Sequence, residues 1–352
     1  LLADYPGAAA AYSLRNLIDT TTSVVRVRRS YDNTESNFTA TEITDGTLVD
    51  FTNQGWFQSL TNTFTTFTGN GVGGFDATDD AGFGEAFVNV ENGASGDVVN
   101  ITLDASSLTG TWTIVLVDAS GTAARSNSVL LTSGSNSVAL TATGDFAFVD
   151  IFCQNPTTSI SVTNFSASIN VGDDGFVAIW YDQSGNAVNA AQASASAQPQ
   201  IVSGGTSLGY IQNLVASSNQ RLESTFSYST GNAYSSFVVA QNLGNAVLGG
   251  TLNAGKYYAV AEIGSSTNAQ SGFSATYYSN GSSIGTTRSD IHNATSSFGE
   301  LTTLGTLLTG TTENAALGYS LTSYNNVRLK EYIIYDNQTI SRTGVEDNII
   351  TH

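Results

Sequence analysis

Residues 176–201 read FVAIWYDQSGNAVNAAQASASAQPQI, and the fold turns on them. Val177, Ile179 and Tyr181 alternate against Phe176, Ala178 and Trp180, so both phases of this run are apolar. A strand of that kind is covered on both faces and belongs near the middle of a sheet. It stops at Asp182-Gln-Ser-Gly-Asn186, where side-chain acceptors and a glycine make a tight turn, with Asp182 capping its own loop. Small residues follow, and Gln198-Pro-Gln-Ile201 restarts extended chain.

Upstream, residues 24–29 (VVRVRR) alternate as a second strand, with Arg26, Arg28 and Arg29 expected to face local carboxylates. Before them, Pro6 and the Ala-rich run 8–17 predict a short N-terminal helix. From residue 48 to 169 the texture changes to short alternating strands separated by Gly, Ser and Asn turns, the pattern of a sandwich. Val99, Ile101 and Leu103 share one face, as do Trp112, Ile114 and Leu116; Val138 with Leu140 and Phe146 with Phe148 follow. In its last strand Ile160 and Val162 are out of phase with Phe165, Ala167 and Ile169, which predicts a bulge at Thr163-Asn164.

Downstream, strands are legible at 235–241, 257–263, 273–278, 301–308 and 315–319, and most clearly at 327–335. A helix over 339–350 follows, capped by Thr339 or Ser341, with Ile340, Val345 and Ile349 on one side. The fold class is therefore all-β.

Composition narrows the function. The chain has 352 residues, enough for two domains, and 40% are hydrophobic while 11% are charged. Twenty-nine acidic residues against eleven basic ones give a net charge of −18. Such a field repels nucleic acid phosphate and anionic membranes, so both are excluded as partners. No apolar run approaches the roughly 20 residues that span a bilayer. The single cysteine, Cys153, excludes an intrachain disulfide and reads as a buried thiol. The absence of methionine and the start at Leu1 suggest a segment of a longer or processed chain.

A set of short motifs occurs in one order: Ala10-Ala-Tyr-Ser-Leu-Arg15, Arg26-Val-Arg-Arg-Ser30 with Asp32-Asn33, Trp180-Tyr-Asp-Gln-Ser-Gly-Asn186, Gln198-Pro-Gln-Ile201, Lys330-Glu-Tyr-Ile-Ile-Tyr335, and Arg342-Thr-Gly-Val-Glu346 with Asn348-Ile349. Together they resemble the concanavalin A-like lectin/glucanase (LamG-like) sandwich of bacteriophage tail-fibre and other virion proteins, and the related catalytic domain of arabinofuranosidase B. The resemblance covers residues 1–46 and 173–352. It implies a discontinuous jelly-roll sandwich at those residues, with residues 47–172 as an inserted, carbohydrate-binding-module-like β-sandwich. It also implies glycan or cell-surface polysaccharide as ligand, other virion or surface subunits and copies of itself as partners, and a place on the virion surface or outside the cell. The family commonly has glycine after Ser-Gly-Asn; Ala187 stands here, which makes a positive φ there unexpected. The enzyme branch carries an acidic residue in the region corresponding to 317–324 and is disulfide-bonded, and this chain has neither feature.

Retaining glycoside hydrolysis needs two carboxylates about 5 Å apart, one of them with a raised pKa. Candidates on strand-like stretches are Glu262, Glu300, Glu331 and Asp182; none is assigned as catalytic, and Glu262 and Glu331 are the two that would be tested first. His292 is the only internal histidine and has no histidine partner for a metal or triad. Asp76, Asp79, Asp80 and Glu85 are hard oxygen donors, and calcium is the one cofactor the chain suggests. Trp56, Tyr181, Asp182, Gln183, Asn186, Tyr277 and Tyr278 are the candidate ligand-binding residues, the aromatic ones by stacking on sugar rings. The expectation is a surface structural or adhesion protein without catalysis. A secreted glycoside hydrolase and a bacterial surface adhesin or filament subunit are the alternatives.

Overall fold

The computed structural model describes residues 1–18, 22–30, 33–53, 64–69, 73–80, 82–169, 174–213, 220–251, 256–309, 312–317, 327–337 and 340–351. Strands dominate and the helices among these residues are short, the longest being Arg342–Ile350. The chain divides into two compact units, one formed by residues 1–49 with 174–352 and the other by residues 50–173.

The second unit is an antiparallel sandwich. One sheet runs in the order Gly134–Thr141, Val98–Thr109, Thr158–Ile169, Phe75–Asp79, Thr66–Gly69; the other runs Glu85–Gly93, Phe146–Cys153, Trp112–Val117, Val129–Leu130. Between them lies one core containing Val99, Ile101, Leu103, Trp112, Ile114, Leu116, Val138, Leu140, Phe146, Ile160, Val162, Phe165 and Ala167. These are the residues that period-two alternation points inward. Phe64 and Phe75 stack beside Trp112, with ring centroids of Phe64 and Trp112 5.7 Å apart. Phe148 departs from the expected face. The register slips between Phe146 and Phe148, so Phe148 turns outward to meet Phe87 edge-on at 5.9 Å. The bulge expected at Thr163-Asn164 is present: pairing shifts between Thr163 and Ser166, and Asn164 has φ 51°.

In the first unit, sixteen strands among the described residues form one antiparallel network. Gly175–Trp180 lies inside it, flanked by Ser23–Arg29, Ala190–Ala191 and Gln200–Ser203, and Trp180 is fully buried. Val327–Tyr335 pairs with Ala233–Asn242 along one side. On its other side it changes partner: Val327, Arg328 and Leu329 pair with Thr206–Asn213, and Glu331 to Ile334 pair with Ala10–Ser13.

That last pairing corrects the sequence expectation for residues 8–17. They form a strand and its extension, although alanine favours helix. Intrinsic helix propensity amounts to only a few tenths of a kcal/mol per residue, and the edge offered by Val327–Tyr335 outweighs it. The C-terminal helix is present, with Val345 and Ile349 buried against Phe237, Ile333 and Tyr335. Its N-cap is Ser341, whose side chain makes no capping bond, while Thr339 lies outside the described residues.

Candidate functional site

The residues that looked most like a site in the sequence turn out to hold the chain together. Asp182 Oδ1 accepts from Ala11 N at 2.8 Å and Ser184 N at 3.0 Å; its Oδ2 accepts from Ser184 Oγ at 2.8 Å and Val188 N at 3.2 Å. Gln183 is 5% exposed and uses both ends of its amide. Oε1 accepts from Leu17 N, and Nε2 donates to Ser13 O and Arg15 O. Asn186 donates to Ala8 O and Ala9 O. The turn therefore staples residues 8–17 by side chains where no strand neighbours them, supplying the backbone bonds an edge segment lacks. Asp182, Gln183 and Asn186, read from the sequence as ligand-binding residues, all serve this task. Tyr181 donates its hydroxyl to Asn37.

Ala187 adopts φ 57°, the left-handed conformation, even though it is not glycine. The expectation from the family's glycine is corrected here. The bonds of Asp182 to Val188 N and of Asp182 N to Asn189 hold the loop on both sides of the strained residue.

Other candidates are also dispersed. Tyr277 is 1% exposed and donates its hydroxyl to Tyr258 O, so it is a core residue and cannot stack on a sugar. Tyr278 is half-buried under the Arg342 guanidinium, 3.9 Å from the ring centroid. Trp56 lies outside the described residues. Asp79 is buried and accepts from Gly84 N and the Cys153 thiol. Asp76, on the same strand, is exposed with the opposite phase. No group of three or more metal-capable side chains occurs among the described residues. The calcium quartet Asp76, Asp79, Asp80 and Glu85 is thus not assembled, because strand alternation splits it.

Glu262 and Glu331 are each neutralised by a different arginine. Arg288 Nη1 lies 2.7 Å from Glu262, and Arg288 also donates to the Tyr257 hydroxyl. Glu331 is buried, accepting from Arg15 Nε at 2.7 Å and Ser13 Oγ at 2.8 Å. Glu300 is nearer to acid chemistry. Burial, with the neighbouring Glu346 adding to it, pushes its carboxyl up to about 7, and Thr302, Asn280 N and Arg342 pull the other way. Yet Glu300 and Glu346 are 2% and 0% exposed, which keeps a substrate oxygen away from both. His292 Nδ1 lies 3.3 Å from Gly244 O, a contact between its helix and the segment after Ala233–Asn242.

A site that sequence reading missed lies on the outer face of the five-stranded sheet. Thr102, Leu103, Asp104, Ser135, Asn136, Ser137 and Asn164 line an open cleft of about 270 Å³. Cross-strand pairing places Ser135 against Asp104 and Ser137 against Thr102. The bulge gives two consecutive outward residues, and the second, Asn164, donates Nδ2 to Asp104 Oδ2 at 2.8 Å. Ser135 donates to Oδ1. These two bonds hold the Asp104 carboxyl below the usual carboxylate range, so it is an ionised acceptor. The one advance signal was the phase slip at residue 163.

No protein-family model matches the chain, and no curated protein matches it. Solved structures share local likeness. The enzymatically active domain of bacteriophage CBA120 tailspike protein 4 is 16% identical over 32% of this chain and 19% of its own, with a TM-score of 0.25. The N-terminal CBM22-1–CBM22-2 tandem domain of Paenibacillus barcinonensis Xyn10C is 9% identical over 82% of this chain and 96% of its own, again with a TM-score of 0.25. A Paenibacillus xanthan lyase is 10% identical over 80% of this chain and 25% of its own, with a TM-score of 0.22. The chain thus spans about a fifth of the tailspike domain and a quarter of the lyase. Scores this low carry no argument about fold or activity.

Proposed function

We propose that the protein is an extracellular or virion-surface adhesion protein that recognises glycans without cleaving them, and that the cleft around Asp104 is where a glycan binds. One observation carries the reading: an open cleft of about 270 Å³ walled by hydroxyls, amides and one ionised carboxylate already held in place. Sugar hydroxyls both donate and accept, so they match a wall of Ser, Thr and Asn around a fixed acceptor. An open sheet face admits a chain of sugars from either end, and bridging waters fill what direct contacts do not reach. Residues 47–172 form the glycan-reading module in this proposal. Residues 1–46 with 173–352 form the concanavalin A-like lectin/glucanase domain that attaches it to other virion or surface subunits, in several copies. The arginine pairing of Glu262 and Glu331 and the burial of Glu300 with Glu346 favour binding over hydrolysis.

The test is a glycan array with the full chain, followed by calorimetry on the best ligand with Asp104→Ala and Asn164→Ala. Losing a charged hydrogen bond should weaken binding about tenfold or more. Binding that ignores both substitutions removes the cleft from the reading. Turnover of aryl arabinofuranosides or polysaccharides would replace adhesion with hydrolysis.

A further inference from the structure

Six arginines of this acid-rich chain are ion-paired: Arg15, Arg26, Arg125, Arg221, Arg288 and Arg342 each have a carboxylate within 4 Å. Arg328 and Lys330 behave differently. No carboxylate among the described residues pairs with either. Arg328 instead donates Nε to Gln212 at 2.9 Å and Nη1 to Gln241 at 3.1 Å, and stacks over Tyr210 at 4.7 Å. Lys330 is exposed and stands over Phe298 with its ammonium 4.5 Å from the ring centroid. The two rings meet each other at 5.5 Å. The result is one continuous platform of two half-buried rings capped by two cations.

The backbone explains why the cations stand together. Val327–Tyr335 changes partner at Lys330, between its pairing with Thr206–Asn213 and its pairing with Ala10–Ser13. Against Ala233–Asn242 the register also slips there, since Val239 opposes Glu331 and Ala240 opposes Leu329. Lys330 is therefore the extra residue of a bulge, a device that re-aims a side chain. Residues two apart on a strand share a face and lie roughly 7 Å apart. The rings fix both cations over apolar surface, so less ordering remains to be done when an anion arrives.

We propose that this platform binds an acidic polysaccharide, one whose sugars carry carboxylates at intervals. The site is separate from the Asp104 cleft and does not depend on it. A net charge of −18 repels ligands with dense charge, such as nucleic acid or an anionic bilayer. Two cations with no carboxylate partner among the described residues suit a sparsely charged chain. Peptide addition to the sheet is closed off, because Val327–Tyr335 is paired on both sides. A uronate residue offers what the platform complements: a carboxylate for Lys330 and Arg328, and an apolar ring face for the exposed parts of Tyr210 and Phe298.

The experiment measures binding of an oligosaccharide in which every second sugar is a uronate to the full chain, with its carboxyl-reduced form as the neutral counterpart. The expected result is binding that weakens as salt rises, falls about tenfold in Lys330→Gln, survives in Lys330→Arg and is at least tenfold weaker for the reduced oligomer. Lys330 makes no side-chain hydrogen bond to the described residues, so Lys330→Gln should fold; an unchanged thermal transition checks this. Asp104→Ala should leave uronate binding intact. If Asp104→Ala abolishes it while Lys330→Gln does not, the cleft stands and the platform falls. Equal binding of the reduced oligomer, no binding at all, or equally tight binding of an oligonucleotide or an acidic peptide would each overturn the proposal.

Discussion

The turn at residues 182–189 and the sandwich of residues 50–173 both carry half-hidden carboxylates, and they satisfy them in opposite ways. Asp182 receives four donors from its own chain. In the sandwich, Asp104 receives two and keeps the rest of its acceptor capacity for solvent. Asp150 is 4% exposed, its Oδ1 has no hydrogen-bond partner among the described residues, and burial, followed by the charge of Glu85, pushes it up to about 8. A carboxylate whose donors come from its own fold is a structural part, whatever its motif resembles. One whose capacity is left over is available to a ligand or to a proton.

The contrast can be broken most forcefully at Asp150. Its ordinary value is 3.8 in an unfolded chain and about 8 when folded, so from pH 4 to 8 the folded state holds a proton that the unfolded state has lost. Stability therefore falls as pH rises through that window and levels off above it. At about 1.4 kcal/mol per unit over roughly four units the fall is on the order of 5 kcal/mol. In Asp150→Asn the thermal transition should lose Asp150's share of this slope, while Glu300, also raised by burial, keeps the rest; a parent protein whose transition is flat from pH 4 to 8 contradicts the burial argument. Asp182 comes next. Asp182→Ala removes four hydrogen bonds to a charged acceptor and frees the N-terminal strand, and should lower stability by about 4 kcal/mol in chemical denaturation. A loss below about 1 kcal/mol would mean that the staple is redundant with the pairing to Val327–Tyr335.

Ala187 offers a smaller effect of opposite sign. Glycine relieves the left-handed backbone, so Ala187→Gly should raise stability by about 0.5 kcal/mol, offset in part by its greater unfolded freedom. A loss would show that the alanine methyl packs usefully. Last, Asp104→Asn should leave the thermal transition where it is, because this carboxylate faces solvent. A large shift would place Asp104 with Asp182 as a structural group.

Much of the fold was legible because strands write themselves in period two. The inward residues of the sandwich, the bulge at residue 163 and Val327–Tyr335 all follow from alternation that only a half-buried or buried strand requires. Residues 8–17 were misread because their conformation is set by partners more than 150 residues away, and local propensity carries no record of these. The roles of Asp182, Gln183 and Asn186 were hidden for a related reason. Asp, Gln, Ser and Asn in a tight turn look the same whether they bind a sugar or a strand.

By itself, the sequence determined an all-β chain, a central strand at residues 176–181, a change of texture near residues 48 and 169, and an acidity that repels nucleic acid. Each is a property of composition or of local periodicity. Tertiary structure alone decided that the Asp182 turn is a staple, that Asp76 and Asp79 face apart, and that Tyr210 and Phe298 lie beneath Arg328 and Lys330. Those outcomes depend on register and on long-range pairing, where one residue of slip turns every side chain to the other face.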